Sequence, residues 1–352
     1  MFEQSFVYNM FMEFLKQNKK IIVYCVVLFG LGISLGTIIT GNNLRKKNNL
    51  IAAQTKPVHS SSVDYKFINP LLGYDTAKAT EFGEYQDLQD KLQKKVDSEL
   101  SNSAITKFSV YFRDLSRGRW LGVNEDEQFS PASLLKVPLM MAYYRVSESN
   151  PDILNKSIKF VGGSDINSIE TIKGSQHIQV GTSYTVDELI NYMIIYSDND
   201  ALALLYNNID PKDLTKFYND FGILLPDVEG SPQDFISPKT YGLFFRVLYG
   251  ATYLNRLDSE KALELLAKVE YTNGLVAGIP INVDTAHKFG EYGSVVGGQI
   301  VSRELHDCGI VFYPNHPYLL CVMTKGADLN NLQRIIKETS QIVYDAMKKT
   351  YK

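Results

Sequence analysis

Cysteine is scarce in this chain, with three in 352 residues. Cys25 lies in an apolar N-terminal run, and Cys308 and Cys321 lie in two apolar stretches near the other end. Three is too few for a disulfide framework. Buried thiols are the ordinary expectation, and a Cys308–Cys321 bond stays open if two neighbouring strands share the right register. Histidine is nearly as sparse. The five histidines (His59, His177, His287, His306 and His316) have no metal-ligand spacing, so no metal and no other cofactor is expected. An excess of one charge is also missing. With 36 Lys and Arg against 39 Asp and Glu, the formal net charge is −3, which argues against a nucleic-acid partner. What is present is 45% apolar and 21% charged residues, enough for a globular protein with a sizeable core.

Residues 1–20 form a short polar and apolar tail ending in Lys16, Lys19 and Lys20. Ile21 to Thr40 carries no charge. As a helix, this run of twenty would span about 30 Å, the thickness of a bilayer core. A cleaved signal peptide is the alternative, but the run is long for one and no Ala-x-Ala-like site comes after it. The expectation is a single-pass membrane anchor. Lys16, Lys19 and Lys20 before it balance Arg45, Lys46 and Lys47 after it, so charge does not set its orientation. The C-terminal part is placed outside the cytoplasm only because the chemistry it carries belongs there. Residues 41–83 read as a polar stalk, within which Tyr65–Leu72 is more apolar than a linker needs. That stretch packs either on the domain or on a partner.

A folded domain is expected over 84–352. Leu88, Leu92, Val96 and Leu100 recur every four residues, as on one face of a helix. Strands are expected at Lys107–Leu115, Arg119–Val123, Asp284–Phe289, Asp307–Tyr313 and Tyr318–Thr324, and a last amphipathic helix at Leu329–Met347. Between the two groups of strands, residues 150–250 read as helical and loop-rich. The order implies an α+β fold in which both ends of the domain build one sheet and an inserted helical lobe lies between them. A cleft is expected at the lobe boundary.

The chemistry starts at Ser130-Pro131-Ala132-Ser133-Leu134-Leu135-Lys136. Ser130 suits an N-cap and Pro131 a first helical position. Ser133 and Lys136, three apart, then share a helix face. A serine hydroxyl needs a base to become a nucleophile, and a lysine in an apolar pocket can serve because burial disfavours its ammonium form. Taken alone, Ser-x-x-Lys is common by chance. Ser197-Asp198-Asn199 comes after a helical run, where Ser197 could relay a proton and Asn199 could hold Lys136 or a substrate amide; a solvated turn is the plain alternative. His287-Lys288-Phe289-Gly290-Glu291 ends an expected strand. Alternation puts Lys288 on one face and His287 and Phe289 on the other, and Gly290 would let a substrate backbone come close.

Ser-x-x-Lys, Ser-Asp-Asn and Lys-x-Gly, in that order and with long separations, form the pattern of the penicillin-recognising serine enzymes. From about Glu84 to Lys352 the chain resembles class A β-lactamases and their serine-hydrolase relatives. Tyr184–Ile190 leading into Ser197, and Asn273–Pro280 preceding Lys288, extend the resemblance. It implies a β-lactamase/transpeptidase-like fold with a five-stranded antiparallel sheet flanked by helices. It also implies that Ser133 attacks an amide carbonyl of a β-lactam or wall peptide, with Lys136 as acylation base. Ser197 then passes the proton to the departing nitrogen, Lys288 tunes Ser197, and Asn199 positions Lys136 and substrate. The N–H groups of Ser133 and Glu291 form the oxyanion hole.

Two departures qualify the resemblance. The family has Thr or Ser where this chain has Phe289, and that hydroxyl binds the substrate carboxylate. The Glu-x-x-Leu-Asn loop that supplies the deacylating base is absent from residues 221–237, where only Asp227, Glu229 and Asp234 are stand-ins. Three functions remain: a membrane-anchored serine hydrolase with doubtful deacylation, a cell-wall D,D-peptidase-like acyltransferase, or a catalytically weak module that binds wall peptide.

Overall fold

The computed structural model describes residues 66–68, 85–101, 104–162, 171–223, 234–296 and 299–352. The expected anchor at Ile21–Thr40 lies outside these residues, as do Asp227 and Glu229. Among the described residues no helix is long and apolar enough to cross a membrane.

Helix α1 (Gln86–Leu100) buries Leu88, Leu92 and Val96, the stripe that the four-residue repeat dictates. Strands β1 (Ile105–Asp114) and β2 (Trp120–Val123) come next. A one-turn 3-10 helix, Ala132–Leu135, runs into helix α2 (Lys136–Ser147). A small ribbon of β3 (Ser157–Lys159) and β4 (Ser183–Thr185) opens the helical lobe. The lobe continues with α3 (Val186–Ile195), α4 (Asn199–Asn208), α5 (Pro211–Asp220), α6 (Pro238–Tyr249) and α7 (Arg256–Leu266). Strands β5 (Thr285–Val296), β6 (Gln299–Val311) and β7 (Tyr318–Gly326) precede the final helix α8 (Leu329–Thr350).

The sheet has the order β2-β1-β7-β6-β5 and every pairing is antiparallel. Strands from both ends of the domain therefore meet at β1–β7, as the order of elements implied. One face packs on α1 and α8 through Phe108, Val110, Phe112, Leu305, Leu320 and Val322. The other packs on the lobe through Tyr111, Ile310, Leu319 and Met323. The alternation is that of a sheet buried on both sides.

Three features differ from the sequence reading. Strands β5 and β6 run past Phe289 and start well before Asp307, because Glu291–Ser294 pair with Ser302–Leu305 despite their polar character. The β3–β4 ribbon was not expected; three-residue strands are too short to show a period. The third difference is at the turn that leads into Ser133: Ser130 does not cap an α-helix. The helix begins only at Lys136, after the 3-10 turn, and Ala132 adopts φ +47°.

Within the apolar stretch at residues 65–72, the described residues 66–68 meet the domain. Phe67 and Ile68 are buried, and the Phe67 ring sits edge-on to Phe312 with centroids 5.1 Å apart. The Glu260 carboxylate on α7 accepts the N–H groups of Lys66, Phe67 and Ile68 at 2.8–2.9 Å, and Lys66 pairs with Asp284 at 2.9 Å.

Candidate active site

Lys136 is the first residue of α2 and is fully buried among Leu134, Val137 and Met140. Its amine donates to Ser133 Oγ at 2.9 Å, to Ser197 Oγ at 2.9 Å and to the Ser197 carbonyl at 2.5 Å. The three-residue spacing thus brings serine and lysine together, although through a 3-10 turn, in which residues three apart eclipse.

Ser197 comes from the opposite wall. It lies between α3 and α4 with φ +58°, a left-handed conformation uncommon for a residue with a side chain. Asp198 holds this bend. Its buried carboxylate caps α4 through Ala201 N–H at 2.9 Å and accepts Ile178 N–H at 2.8 Å. Asn199 is the first residue of α4, not a loop residue.

Lys288 comes from β5, the sheet edge beside the cleft. Its amine donates to Ser197 Oγ at 3.0 Å and to the Phe289 carbonyl at 3.1 Å. Strand alternation sets this direction. Lys288 lies opposite Cys308, and Cys308 opposite Cys321, so all three share the lobe-facing side of the sheet. The two cysteines form a disulfide. Of the two states the sequence left open, the direct cross-strand register selects the bonded one.

Alternation was expected to turn Phe289 to the opposite side from Lys288, but its ring packs in the same lobe-side core as Cys308 and Cys321. Its ring stacks on Tyr271 with centroids 4.3 Å apart and is only 5% exposed, yet it lies 4.0 Å from Lys288 Nζ, within cation–π range. Where the family has a hydroxyl, this chain has an aromatic face packed beside the lysine. Gly290 is needed by the protein itself. A Cβ there would stand 2.9 Å from the Pro131 carbonyl oxygen and 3.0 Å from Leu134 Cγ, so the edge strand and the nucleophile turn touch. The Glu291 side chain accepts from Arg303 at 2.8 Å and from Ile172 N–H at 3.0 Å. It ties β5 to a loop that reaches the lobe through Ile178 and Asp198.

Sequence reasoning missed the groups that surround the nucleophile turn. Tyr241 on α6 donates to the Leu134 carbonyl at 3.0 Å, and full burial pushes its phenol far above the ordinary range, so it remains a donor. Glu304 and His306 on β6 contact Ser130. The signal for these two was their strand spacing, two apart with Leu305 between them, in a polar stretch that gave no sign of burial. Asp234, a candidate deacylating base, is held at 3.0 Å by Lys107 and lies 3.7 Å from Lys325, so its carboxylate is committed to two cations. Among the described residues no cluster of His, Cys, Asp or Glu could hold a metal ion.

The profile of the beta-lactamase enzyme family matches residues 90–347. Beta-lactamase OXY-1 of Klebsiella oxytoca is 26% identical over 243 residues, covering 63% of this chain and 78% of that protein. Among solved structures, a PBP-A mutant held as its acyl-enzyme complex with penicillin G superposes with a TM-score of 0.62 at 21% identity, covering 75% of this chain and 97% of that one. A beta lactamase from Xanthomonas campestris gives 0.61 at 22%, covering 74% and 98%. The structural likenesses carry the fold, and the family match carries the membership.

Proposed function

Because the chain belongs to the beta-lactamase enzyme family, a family of serine hydrolases acting on amide bonds, we propose that it is acylated at Ser133 by a β-lactam or a wall-peptide-like amide. The observation that carries this reading is Lys136 Nζ, buried and 2.9 Å from both Ser133 Oγ and Ser197 Oγ.

The contacts support the following steps. To act as base, Lys136 must meet Ser133 as a neutral amine. In that form its two N–H bonds stay on the Ser197 oxygens, and its lone pair faces Ser133 Oγ and takes the Ser133 proton in place of the donation seen in the structure. Ser133 Oγ then attacks the amide carbonyl, and the proton passes through Lys136 and Ser197 Oγ to the departing nitrogen. Lys288 donates to Ser197 Oγ and stabilises negative charge there as the proton moves. The N–H groups of Ser133 and Glu291 receive the developing oxyanion; one such donor is typically worth about 10²–10³ in rate. Asn199, at the head of α4, positions the substrate amide.

Deacylation is the open half of the cycle. Asp234 is engaged by lysines, which supports a long-lived acyl-enzyme and gives the acyltransferase reading its specific support. The binding-module reading has less, because it gives no use for two amines on one hydroxyl. We place the domain outside the membrane, anchored through Ile21–Thr40; the Cys308–Cys321 bond suits an oxidising compartment.

Intact mass after incubation with a penicillin tests the reading, with Ser133→Ala in parallel. A stable adduct that Ser133→Ala abolishes supports acylation with slow deacylation. Turnover without an adduct makes the protein a true β-lactamase. Folded protein that shows neither an adduct nor turnover overturns β-lactam acylation.

A further inference from the structure

Ser130 lies three residues before the nucleophile, and both of its main-chain polar groups are taken by side chains of one strand. Its N–H donates to Glu304 Oε2 at 3.0 Å, and its carbonyl lies 2.9 Å from His306 Nε2. A carbonyl oxygen only accepts, so Nε2 carries the proton in this contact. The other ring nitrogen faces the Thr324 N–H at 3.4 Å and accepts, so the two contacts fix one tautomer. Glu304 and His306 are two apart on β6 and therefore share the lobe-facing side with Cys308. They are 1% and 0% exposed.

A carboxylate this deep is costly unless it is paired. Glu304 Oε1 lies 2.7 Å from Lys325 Nζ. Burial raises its pKa, but Lys325 and the Nε2–H of His306, shared between the Ser130 carbonyl and Glu304 Oε2 at 3.4 Å, outweigh burial and hold it below the ordinary glutamate value, so the acceptor for Ser130 stays ionised. The Phe129 ring lies edge-on against His306 at 5.2 Å and fixes the imidazole from the side.

The next two residues explain why Ser130 needs a grip. Pro131 has no N–H to anchor it, and Ala132 sits at φ +47°, a conformation that persists in a non-glycine residue only when the surroundings impose it. Past the nucleophile, Tyr241 holds the Leu134 carbonyl. Upstream, Phe129 pairs with Ile236. Without the hold on Ser130, the turn could relax at Ala132 and carry Ser133 Oγ away from Lys136.

We propose that Glu304 and His306 are positioning residues that clamp Ser130 by its N–H and its carbonyl, and so fix the strained turn that presents Ser133 to Lys136. This rests on Ser133 being the nucleophile, but not on the substrate being a β-lactam. Neither side chain touches the reacting atoms, so their effect falls on the acylation step and not on substrate capture.

The test is the rate of covalent labelling of Ser133 by two probes, a fluorescent penicillin and a small fluorophosphonate, in the full chain. Saturation kinetics separate non-covalent binding from acylation. Glu304→Met keeps length and removes the acceptor; His306→Phe keeps the ring and removes the donor. Each is expected to slow acylation at least tenfold with unchanged non-covalent binding, and Glu304→Gln, which keeps an acceptor oxygen, to recover most of it. Folded variants that label at the wild-type rate overturn the clamp, and so does a loss confined to binding. If Glu304→Met does not fold, His306→Phe carries the same test. Wild-type protein labelled by the phosphonate and not by penicillin rejects the β-lactam reading and leaves the clamp measurable.

Discussion

Lys136 and Lys288 reach the same oxygen from opposite walls of the cleft: Ser197 Oγ lies 2.9 Å from one amine and 3.0 Å from the other. The first comes from a helix start and the second from a sheet edge. The hydroxyl between them joins the lobe to the sheet, and under the proposed function it is the route for the Ser133 proton toward a leaving group.

Lys136→Met should therefore keep the fold and lose acylation. The side chain is buried and unbranched, so a methionine fills its place, whereas the proton acceptor is gone. Removing a general base typically costs about 10²–10⁴ in rate. The first-order labelling constant of Ser133 is the measurement, and a drop of less than tenfold would remove Lys136 from the role of base.

Phe289→Thr should trade stability for penicillin recognition. It deletes the stack on Tyr271 and the aromatic face beside Lys288, a loss of about 3 kcal/mol on the scale of buried Phe truncations. It also returns a hydroxyl to the strand position that holds a carboxylate in the resembling enzymes. Labelling by penicillin should quicken while the denaturation midpoint falls. No gain in labelling would mean that Phe289 does not limit β-lactam recognition.

The segment at residues 66–68 should stabilise the domain. Burying Phe67 and Ile68 is worth about 1.5–3 kcal/mol each before the cost of ordering the segment. A protein beginning at residue 62 should then melt several degrees above one beginning at residue 84, and Glu260→Ala should cancel the difference. Equal melting temperatures would show that the contacts with Glu260 and Phe312 contribute nothing net.

Reduction should lower the melting temperature. The Cys308–Cys321 bond closes a short loop of sequence separation 13, for which the chain-entropy estimate is about 3 kcal/mol. For a domain of this size that is about 5–10 °C. Calorimetry with and without a reductant checks it. Denatured, unreduced protein should titrate as a single thiol, Cys25; three thiols would show that the bond does not form.

Much of the fold was legible because it is written locally. A four-residue repeat is a helix face, as in α1, and an alternating or continuous apolar run bounded by turn residues is a strand, as in β1 and β7. The order of those elements already implied one sheet built from both ends of the domain, although not that β1 and β7 would be the strands that join. Three-residue spacing put Ser133 beside Lys136, whereas alternation did not foresee that the Phe289 ring packs beside Lys288 in the lobe-side core.

Other features depend on residues far apart in the chain, which no local period encodes. The grip on Ser130 comes from Glu304 and His306, more than 170 positions away. It exists only because β6 lies in one register against β5 and β7. That register also bonded Cys308 to Cys321 and set Lys288 in line with them. Tertiary packing placed the left-handed turn at Ala132 and made Gly290 necessary where strand and turn touch. It likewise brought the main-chain N–H groups of Lys66, Phe67 and Ile68 to Glu260. The sequence by itself determined the elements and the chemical groups on their faces, since hydrogen bonding within a helix and side-chain alternation along a strand are short-range. Only the tertiary structure decided which distant groups meet, because that choice belongs to strand register and to the burial of polar groups that must find a partner.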